Sequence, residues 1–133
     1  MVIDTSALVA ILQREPERRP FIEAIEVADA RLMSVATFVE ISIVIEARHG
    51  AEGLRDLDHF IARAGIELVA VDPEHGTMAR SAFNRFGKGR HRAGLNYGDC
   101  FSYALAMLTG EPLLFKGDDF VHTDLVTVDL GSR

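Results

Sequence analysis

The sequence predicts an α/β fold, in which a central, mostly parallel sheet of four to five strands lies between layers of helices. One observation is that short apolar segments, such as residues 66–71, alternate with longer segments whose apolar residues recur at helical spacing. A second is that helix-start signals follow these apolar segments directly. In Asp72-Pro73, for example, a capping residue precedes a proline suited to the first helical turn. Strands that alternate with helices form parallel sheets, because each helix returns the chain to the same edge.

Each predicted element follows from its own segment of the chain. Thr5 or Ser6 is expected to cap a first helix that Glu15-Pro16 ends, and Ser34 is expected to cap the third, which Gly50 ends. The chain has no repeat and no linker, so residues 1–133 are predicted to form a single domain. The predicted strands are 1–4, 31–33, 66–71, 112–115 and 125–128. The predicted helices are one through Ala7–Leu12, one around Phe21–Ile25, and those at 34–49, 51–64, 73–86 and 97–109.

Composition narrows the class of protein. With 48% hydrophobic and 26% charged residues, the chain has the composition of a globular domain. No apolar stretch approaches the length of a membrane span, and the first residues do not resemble a signal peptide. The single cysteine, Cys100, cannot form an internal disulfide. We therefore expect a cytoplasmic protein with no membrane association.

Charge is unevenly distributed along the chain. The net charge of −6 disfavours nucleic-acid binding, but residues 75–98 contain no Asp or Glu. A segregated basic segment of this kind is suited to a phosphate backbone, although a solvated loop is the simpler explanation. We predict that its glycine-rich part, residues 87–94, contacts such a backbone, with Arg85, Lys88, Arg90 and Arg92 as the binding residues. The basic residues of the segment are Arg80, Arg85, Lys88, Arg90 and Arg92.

The candidate catalytic residues are acids. Asp4 ends the first predicted strand, and Asp118 and Asp119 follow the strand at 112–115, so the carboxyl-terminal edge of the sheet would bring them together. Glu40 interrupts an otherwise apolar helix, and Asp99 opens the sixth predicted helix. Several carboxylates at one place repel one another, and oxygen ligands of this kind select Mg²⁺ or Mn²⁺. With a basic segment nearby, such a cluster indicates phosphodiester hydrolysis.

Each acid also has an ordinary structural explanation. Glu40 could lie on an exposed stripe of its helix, and Asp4 could be a turn residue. Asn96 and Asp99 have the spacing of a capping box, in which each side chain binds a backbone N–H of the other. The set is therefore more informative than any member of it.

Four segments resemble the motifs of PIN-domain nucleases, and they come in the order of that family over nearly the whole chain. They are Val2–Ala10, Ser34–Glu40, Leu95–Ala106 and Leu113–Phe120. The length of the chain and the residues of its four motifs resemble those of VapC-type toxins of type II toxin–antitoxin (VapBC) systems. The resemblance implies a three-layer α/β/α PIN-like domain, Mg²⁺-dependent endoribonuclease activity in which Mn²⁺ can substitute, inhibition by a VapB-type antitoxin, and a homodimer. The RNA would be a structured one such as a tRNA or rRNA.

The resemblance also assigns residues. Asp4, Glu40 and Asp99 match the family's acids, with Asp4 and Asp99 as metal ligands, while Ser6 and Asn96 match polar positions near the substrate. The fourth motif departs from the family pattern, because Phe115 replaces a threonine and Gly117 replaces the first aspartate. Asp118 or Asp119 therefore serves as the fourth acid, and the position before Phe120 favours Asp119.

Other classes of function fit less well. A receiver-like phosphoacceptor domain would need paired acids after the first strand, where Asp4 stands alone, and a phosphatase with an aspartyl nucleophile would need an acid where Ser6 stands. A catalytically inactive PIN-like module that binds RNA or protein remains open. Metal-dependent turnover of RNA distinguishes this module from the enzyme.

Overall fold

The computed structural model of the protein describes residues 1–131, so the last two residues of the predicted domain lie outside the described part. Its centre is a sheet of four parallel strands in the order β3-β2-β1-β4. The strands are β1 (Val2–Ile3), β2 (Leu32–Ser34), β3 (Glu67–Val69) and β4 (Leu113–Leu114). The predicted α/β class and the parallel sheet are therefore confirmed.

Helices connect the strands and cover both faces of the sheet. Alternate residues of β1 and β4 point into two different cores, because successive side chains of a strand face opposite ways. Ile3 and Leu114 pack with the first three helices, whereas Val2 and Leu113 pack with the last two. The result is the predicted three-layer arrangement. The helices are α1 (Thr5–Leu12), α2 (Arg18–Val27), α3 (Val35–Arg63), α4 (Pro73–Phe86) and α5 (Tyr97–Thr109).

Capping residues begin most helices where the sequence predicts them. Ser34 accepts a hydrogen bond from the Ala36 N–H, and Asp72 accepts one from the His75 N–H. The first helix differs, because the expectation that Thr5 or Ser6 caps it is wrong. Asp4 is the cap and accepts a hydrogen bond from the Ser6 N–H, so α1 begins one or two residues earlier than expected.

The predicted break at Gly50 and the predicted fifth strand have different outcomes. Gly50 has φ 65° and ψ −156°, which interrupts α3 between its two predicted halves. The segment 125–128 forms only an isolated parallel bridge, in which Thr127 pairs with Leu113, so a regular fifth strand is wrong. Val126 is 69% exposed, so burial provides little reason for this segment to extend the sheet.

No helix among the described residues is both long and apolar enough to cross a membrane.

Candidate active site

Carboxylates from four elements meet at the carboxyl-terminal edge of the sheet. Asp4 follows β1, Glu40 lies on α3, Asp99 lies in the first turn of α5, and Asp119 follows β4. The pKa of Asp99 is raised to about 7, mainly by burial and also by the negative charges of Asp4, Asp119 and Glu40, while the backbone hydrogen bond from Asn96 lowers it. Four of the five predicted acids therefore share one electrostatic environment.

Asp4 is fixed by hydroxyl groups from two helices. It is 3% exposed, and its Oδ2 accepts hydrogen bonds from the Ser6 N–H (3.1 Å) and the Ser6 hydroxyl (2.7 Å). Its Oδ1 accepts one from the buried Ser102 hydroxyl at 2.6 Å. Because the hydroxyl hydrogen of Ser102 is used there, Thr37 is the donor in its 3.3 Å contact with Ser102. These bonds hold the carboxylate in one orientation and leave about one of its lone-pair positions free.

Glu40 reaches the same region from α3. The Thr5 hydroxyl donates to Glu40 Oε1 at 2.5 Å, which makes Thr5 a site residue that the sequence analysis did not identify. Burial raises the pKa of Glu40, the Thr5 hydrogen bond lowers it, and the charge of Asp4 raises it. Glu40 is therefore directed into the site rather than along an exposed stripe.

Gly98 makes room for the Glu40 carboxylate. A Cβ at Gly98 would overlap that carboxylate, so only glycine allows Glu40 to lie against the first turn of α5. Neither this role of Gly98 nor that of Ser102 was predicted from the sequence. The available signals were a glycine directly before the candidate acid Asp99, and a lone hydroxyl in a segment that is otherwise apolar.

Asp99 has a structural role as well as a place in the cluster. Asn96 Oδ1 accepts from the Asp99 N–H at 2.8 Å, and Asp99 Oδ2 accepts from the Asn96 N–H at 3.0 Å. The predicted capping box is therefore confirmed. The capping box uses Oδ2 of Asp99 and thereby fixes the orientation of Oδ1, which stays available to the acidic cluster. Asp99 can therefore serve as a capping residue and as a site residue at once.

The loop after β4 distinguishes the two adjacent aspartates. Both Asp118 and Asp119 are exposed, but only Asp119 is among the charges that raise the pKa of Asp99. Phe120 is 2% exposed, and its ring contacts that of Phe115 with centroids 5.2 Å apart. The buried ring fixes the residue next to it, which favours Asp119 as the fourth acid.

Two predicted substrate-binding residues are already engaged in the structure. The Ser6 hydroxyl donates to Asp4 and accepts from the Lys116 N–H at 2.9 Å, so it ties α1 to the loop after β4. Asn96 is exposed, and its side-chain oxygen caps α5. Contact of either side chain with substrate stays a prediction.

The basic segment contains one residue that is paired with an acid, Arg85, and others that form no ion pair with a described residue. Arg85 donates to Asp124 at 3.1 Å and to the Tyr103 hydroxyl at 3.3 Å, so it stabilises the packing of α4 against the end of the chain. Lys88, Arg90 and Arg92 are exposed on the loop that joins α4 to α5. The main chain closes this loop at its base, where the Lys88 N–H donates to the Leu95 carbonyl at 2.9 Å.

The donor set suits a hard cation that keeps part of its water shell. Within residues 1–131, no three acidic, histidine or cysteine side chains lie close enough to enclose a metal by direct contacts alone. Mg²⁺ commonly binds through one or two carboxylates and several waters. Asp4 and Asp99 fit that description, because they supply only oxygen, and the pKa of Asp99 is raised by charges that nothing among the described side chains neutralises.

Comparison with known proteins places the chain in a family. The model of the PIN domain matches residues 1–125. Ribonuclease VapC30 of Mycobacterium tuberculosis is 58% identical over 130 residues, which cover 98% of this chain and 99% of the relative. The chain therefore belongs to the PIN-domain family. Within that family, its similarity is to the VapC proteins.

Two solved structures share the fold at low sequence identity. The crystal structure of M. tuberculosis VapC20, described as a toxin that cleaves the sarcin–ricin loop, has a TM-score of 0.77 at 15% identity, and the match covers 96% of this chain and 97% of that one. A toxin–antitoxin complex from Klebsiella pneumoniae has a TM-score of 0.69 at 17% identity, with 99% and 98% covered. These similarities confirm the PIN-like fold.

Proposed function

We propose that this chain is a Mg²⁺-dependent endoribonuclease, the toxin of a toxin–antitoxin pair, and that Mn²⁺ can replace Mg²⁺. The observation that carries the proposal is the convergence of Asp4, Glu40, Asp99 and Asp119 on one edge of the sheet. Folding alone does not favour a cluster of like charges, so a bound cation is its simplest explanation. The name ribonuclease on a relative at 58% identity supports the same activity.

Asp4 and Asp99 would hold the metal, directly or through one water, and Glu40 and Asp119 would contact its remaining waters. When bound, Mg²⁺ would supply the positive charge that lets an anionic phosphodiester approach the carboxylates and be attacked by water. Ser6 and Ser102 keep the Asp4 carboxylate from turning away, while Asn96 does the same for Asp99. Thr5 holds one oxygen of Glu40 and leaves the other to accept a hydrogen bond.

The exposed loop between α4 and α5 would hold the RNA backbone. Lys88, Arg90 and Arg92 precede the helix that carries Asp99, so their charges offset the repulsion between phosphates and the acidic cluster. Changing these three residues together to Ser should lower the log–log salt slope of RNA binding by about 0.7 for each lost phosphate contact. Arg85→Ser is the matched control, because Arg85 pairs with Asp124. An unchanged salt slope in the triple variant would mean that RNA binds at another face of the protein.

A groove on the opposite end of α1 supports an antitoxin partner. It has a volume of about 530 Å³ and lies between α1, α2 and the second half of α3. Its apolar side chains would take the apolar face of a partner helix, and its arginines would pair with acids on that helix. Ile22→Glu should then abolish co-purification with a co-expressed VapB-type antitoxin. The apolar lining is Ile11, Leu12, Ile22, Ile25, Phe60 and Ala64, the basic side chains are Arg14, Arg18, Arg31 and Arg63, and Glu26, Asp56 and His59 complete the groove.

The homodimer and the cytoplasmic location belong to the same proposal. Val35, Val39 and Ile43 form an exposed apolar stripe on α3 at a spacing of four residues, and a second copy would cover it. Ile43→Asp should reduce the measured mass in solution to that of one chain. The free cysteine, Cys100, is buried, which suits a reducing compartment.

The deciding experiment is RNA cleavage by the purified protein. Total RNA is incubated with wild-type protein in Mg²⁺, with wild-type protein in EDTA, and with Asp4→Asn in Mg²⁺. Asp58→Asn is the matched control, because Asp58 is an exposed acid on α3 outside the cluster. Cleavage that needs both Mg²⁺ and Asp4 supports the proposal. Binding of RNA without metal-dependent turnover would instead favour an inactive RNA-binding module.

A further inference from the structure

An apolar pocket lies beside the acidic cluster, between α4 and the first turns of α5. It has a volume of about 410 Å³, and its accessible lining is almost entirely carbon. The buried residues Ala79 and Cys100 form its floor, and the aromatic rings of Phe83, Tyr97 and Phe101 stand around it. The proposed mechanism uses none of these side chains.

The aromatic residues of the pocket are presented to solvent in an unusual way. Tyr97 is 79% exposed, although its ring packs edge-on against that of Phe101 with centroids 5.0 Å apart. A single exposed apolar side chain needs no explanation, but one that stands at the mouth of an apolar pocket marks a place where a flat ligand could pack. Proteins commonly bind single-stranded RNA by stacking its bases on exposed aromatic rings of this kind.

Positive charge surrounds the pocket on the side of α4. Arg80 lines it, and the Arg90 guanidinium lies over the Phe83 ring at 5.4 Å from its centroid. Neither arginine forms an ion pair with a residue in the described part of the chain. An apolar cavity with unpaired cations at its rim is complementary to a base whose flanking phosphates are anionic.

The pocket and the acidic cluster occupy neighbouring faces of one helix. Gly98 and Ser102 face Glu40 and Asp4, whereas Tyr97 and Phe101 face the pocket, about a quarter turn away around α5. A rotation of about 100° around a helix of about 5 to 6 Å radius separates the two sites by roughly 8 Å. A nucleotide next to the scissile phosphate can span that distance.

We propose that this pocket binds one nucleobase of a single-stranded RNA segment, adjacent to the phosphodiester held at the acidic cluster. The proposal rests on the proposed ribonuclease function and adds to it a base-binding subsite. Tyr97 and Phe83 stack on the base, and Arg80 and Arg90 bind the phosphates on either side. Because any base has an aromatic face, stacking supplies affinity and position, and the size of the cavity limits which bases enter.

Gly76 offers a way to close the pocket without harming the fold. It lines the pocket from α4, and a Cβ added there would contact nothing within 4 Å. Gly76→Leu therefore fills the mouth while replacing a poor helix former with a good one, and Gly76→Ala is the matched control that leaves most of the space. Tyr97→Ala removes the stacking ring, and Tyr97→Phe keeps it.

The experiment measures binding of fluorescent decamers in EDTA, so that affinity is separated from cleavage. The probes are oligoadenylate, oligouridylate and an abasic decamer with the same sugar–phosphate backbone. Wild type, Tyr97→Phe and Gly76→Ala should bind at least one base-containing decamer about 5- to 100-fold more tightly than the abasic one, since this is the effect of stacking one base. Tyr97→Ala and Gly76→Leu should lose this preference and keep the wild-type dependence on salt.

Three outcomes overturn the inference. One is a wild-type protein that binds abasic and base-containing decamers equally. The second is a base preference that survives in both Tyr97→Ala and Gly76→Leu. The third is a loss of preference that coincides with conversion of a dimer to single chains by light scattering, which would assign the pocket to a second copy. Cleavage in Mg²⁺ is assayed separately. A wild-type protein that cleaves RNA but shows no base preference would refute the subsite alone, whereas the absence of cleavage would refute the ribonuclease proposal.

Discussion

Changing Asp99 to Asn should stabilise the metal-free protein even though it destroys the proposed metal site. Asp99 is half-buried among the carboxylates of Asp4, Glu40 and Asp119, so its ionised form is costly in the folded state. Asparagine removes the charge but keeps an oxygen that can accept the hydrogen bond from the Asn96 N–H. The variant therefore relieves repulsion without losing the cap of α5.

The magnitude follows from the pKa of Asp99. A rise from 3.8 to about 7 corresponds to about 4 kcal/mol of destabilisation once the group is ionised in both states. Partial exposure to water screens the interactions, and we take about half of that value, roughly 2 kcal/mol. For a domain of 133 residues, this is a rise in melting temperature of about 6 to 10 °C for Asp99→Asn at pH 8 in EDTA.

The pH dependence has a defined sign. A carboxylate whose pKa is raised on folding binds more protons in the folded state, so stability falls as pH rises from about 4 to about 7 and is constant above that. Wild type and Asp99→Asn should therefore have equal free energies of unfolding below pH 4. The two should diverge between pH 4 and pH 7 and stay apart at pH 8, as measured by urea unfolding in EDTA.

Mg²⁺ should narrow the difference in stability between wild type and Asp99→Asn. A ligand that binds only the folded form adds about 1.4 kcal/mol at ten times its dissociation constant, so wild type gains stability in Mg²⁺. Asp99→Asn should gain little and should cleave no RNA. A variant that is no more stable than wild type at pH 8 in EDTA, or that responds equally to Mg²⁺, would refute the argument from charge repulsion.

Three further predictions concern the neighbours of these acids. Asp119→Asn should reduce the cleavage rate far more than Asp118→Asn, because of these two aspartates only Asp119 contributes to the raised pKa of Asp99. Equal and trivial losses of rate in both variants would mean that this loop takes no part in the mechanism. Gly98→Ala should displace Glu40 and lower the rate while circular dichroism stays that of a folded protein, and full activity would show that Glu40 has room to move. Ser102→Ala should cost about 1 to 3 kcal/mol of stability in denaturant unfolding, since it removes the buried donor to Asp4, and an unchanged stability would contradict this.

The local elements and most of the acids could be predicted from the sequence, because they depend on short-range chemistry. Asp72 and Pro73 provide a cap and a first-turn proline at adjacent positions, Gly50 interrupts a helix through its backbone, and Asn96 and Asp99 have the spacing of a capping box. The alternation of short apolar segments and helices is likewise enough to specify a parallel sheet, whose strand ends bring Asp4 near the loop after β4.

Tertiary structure decided what depends on contacts between distant segments. The bond from Ser102 to Asp4 joins residues 98 positions apart, and the overlap that requires glycine at 98 exists only because α3 packs against α5. Likewise, Arg85 and Lys88 are both basic and exposed, but only Arg85 of these two lies beside an acid, Asp124, that pairs with it. The short strands end where pairing ends, and the fifth predicted strand reduces to a single bridge. Spacing along the chain specifies local conformation, but a carboxylate's partners are set by whatever the fold packs against it.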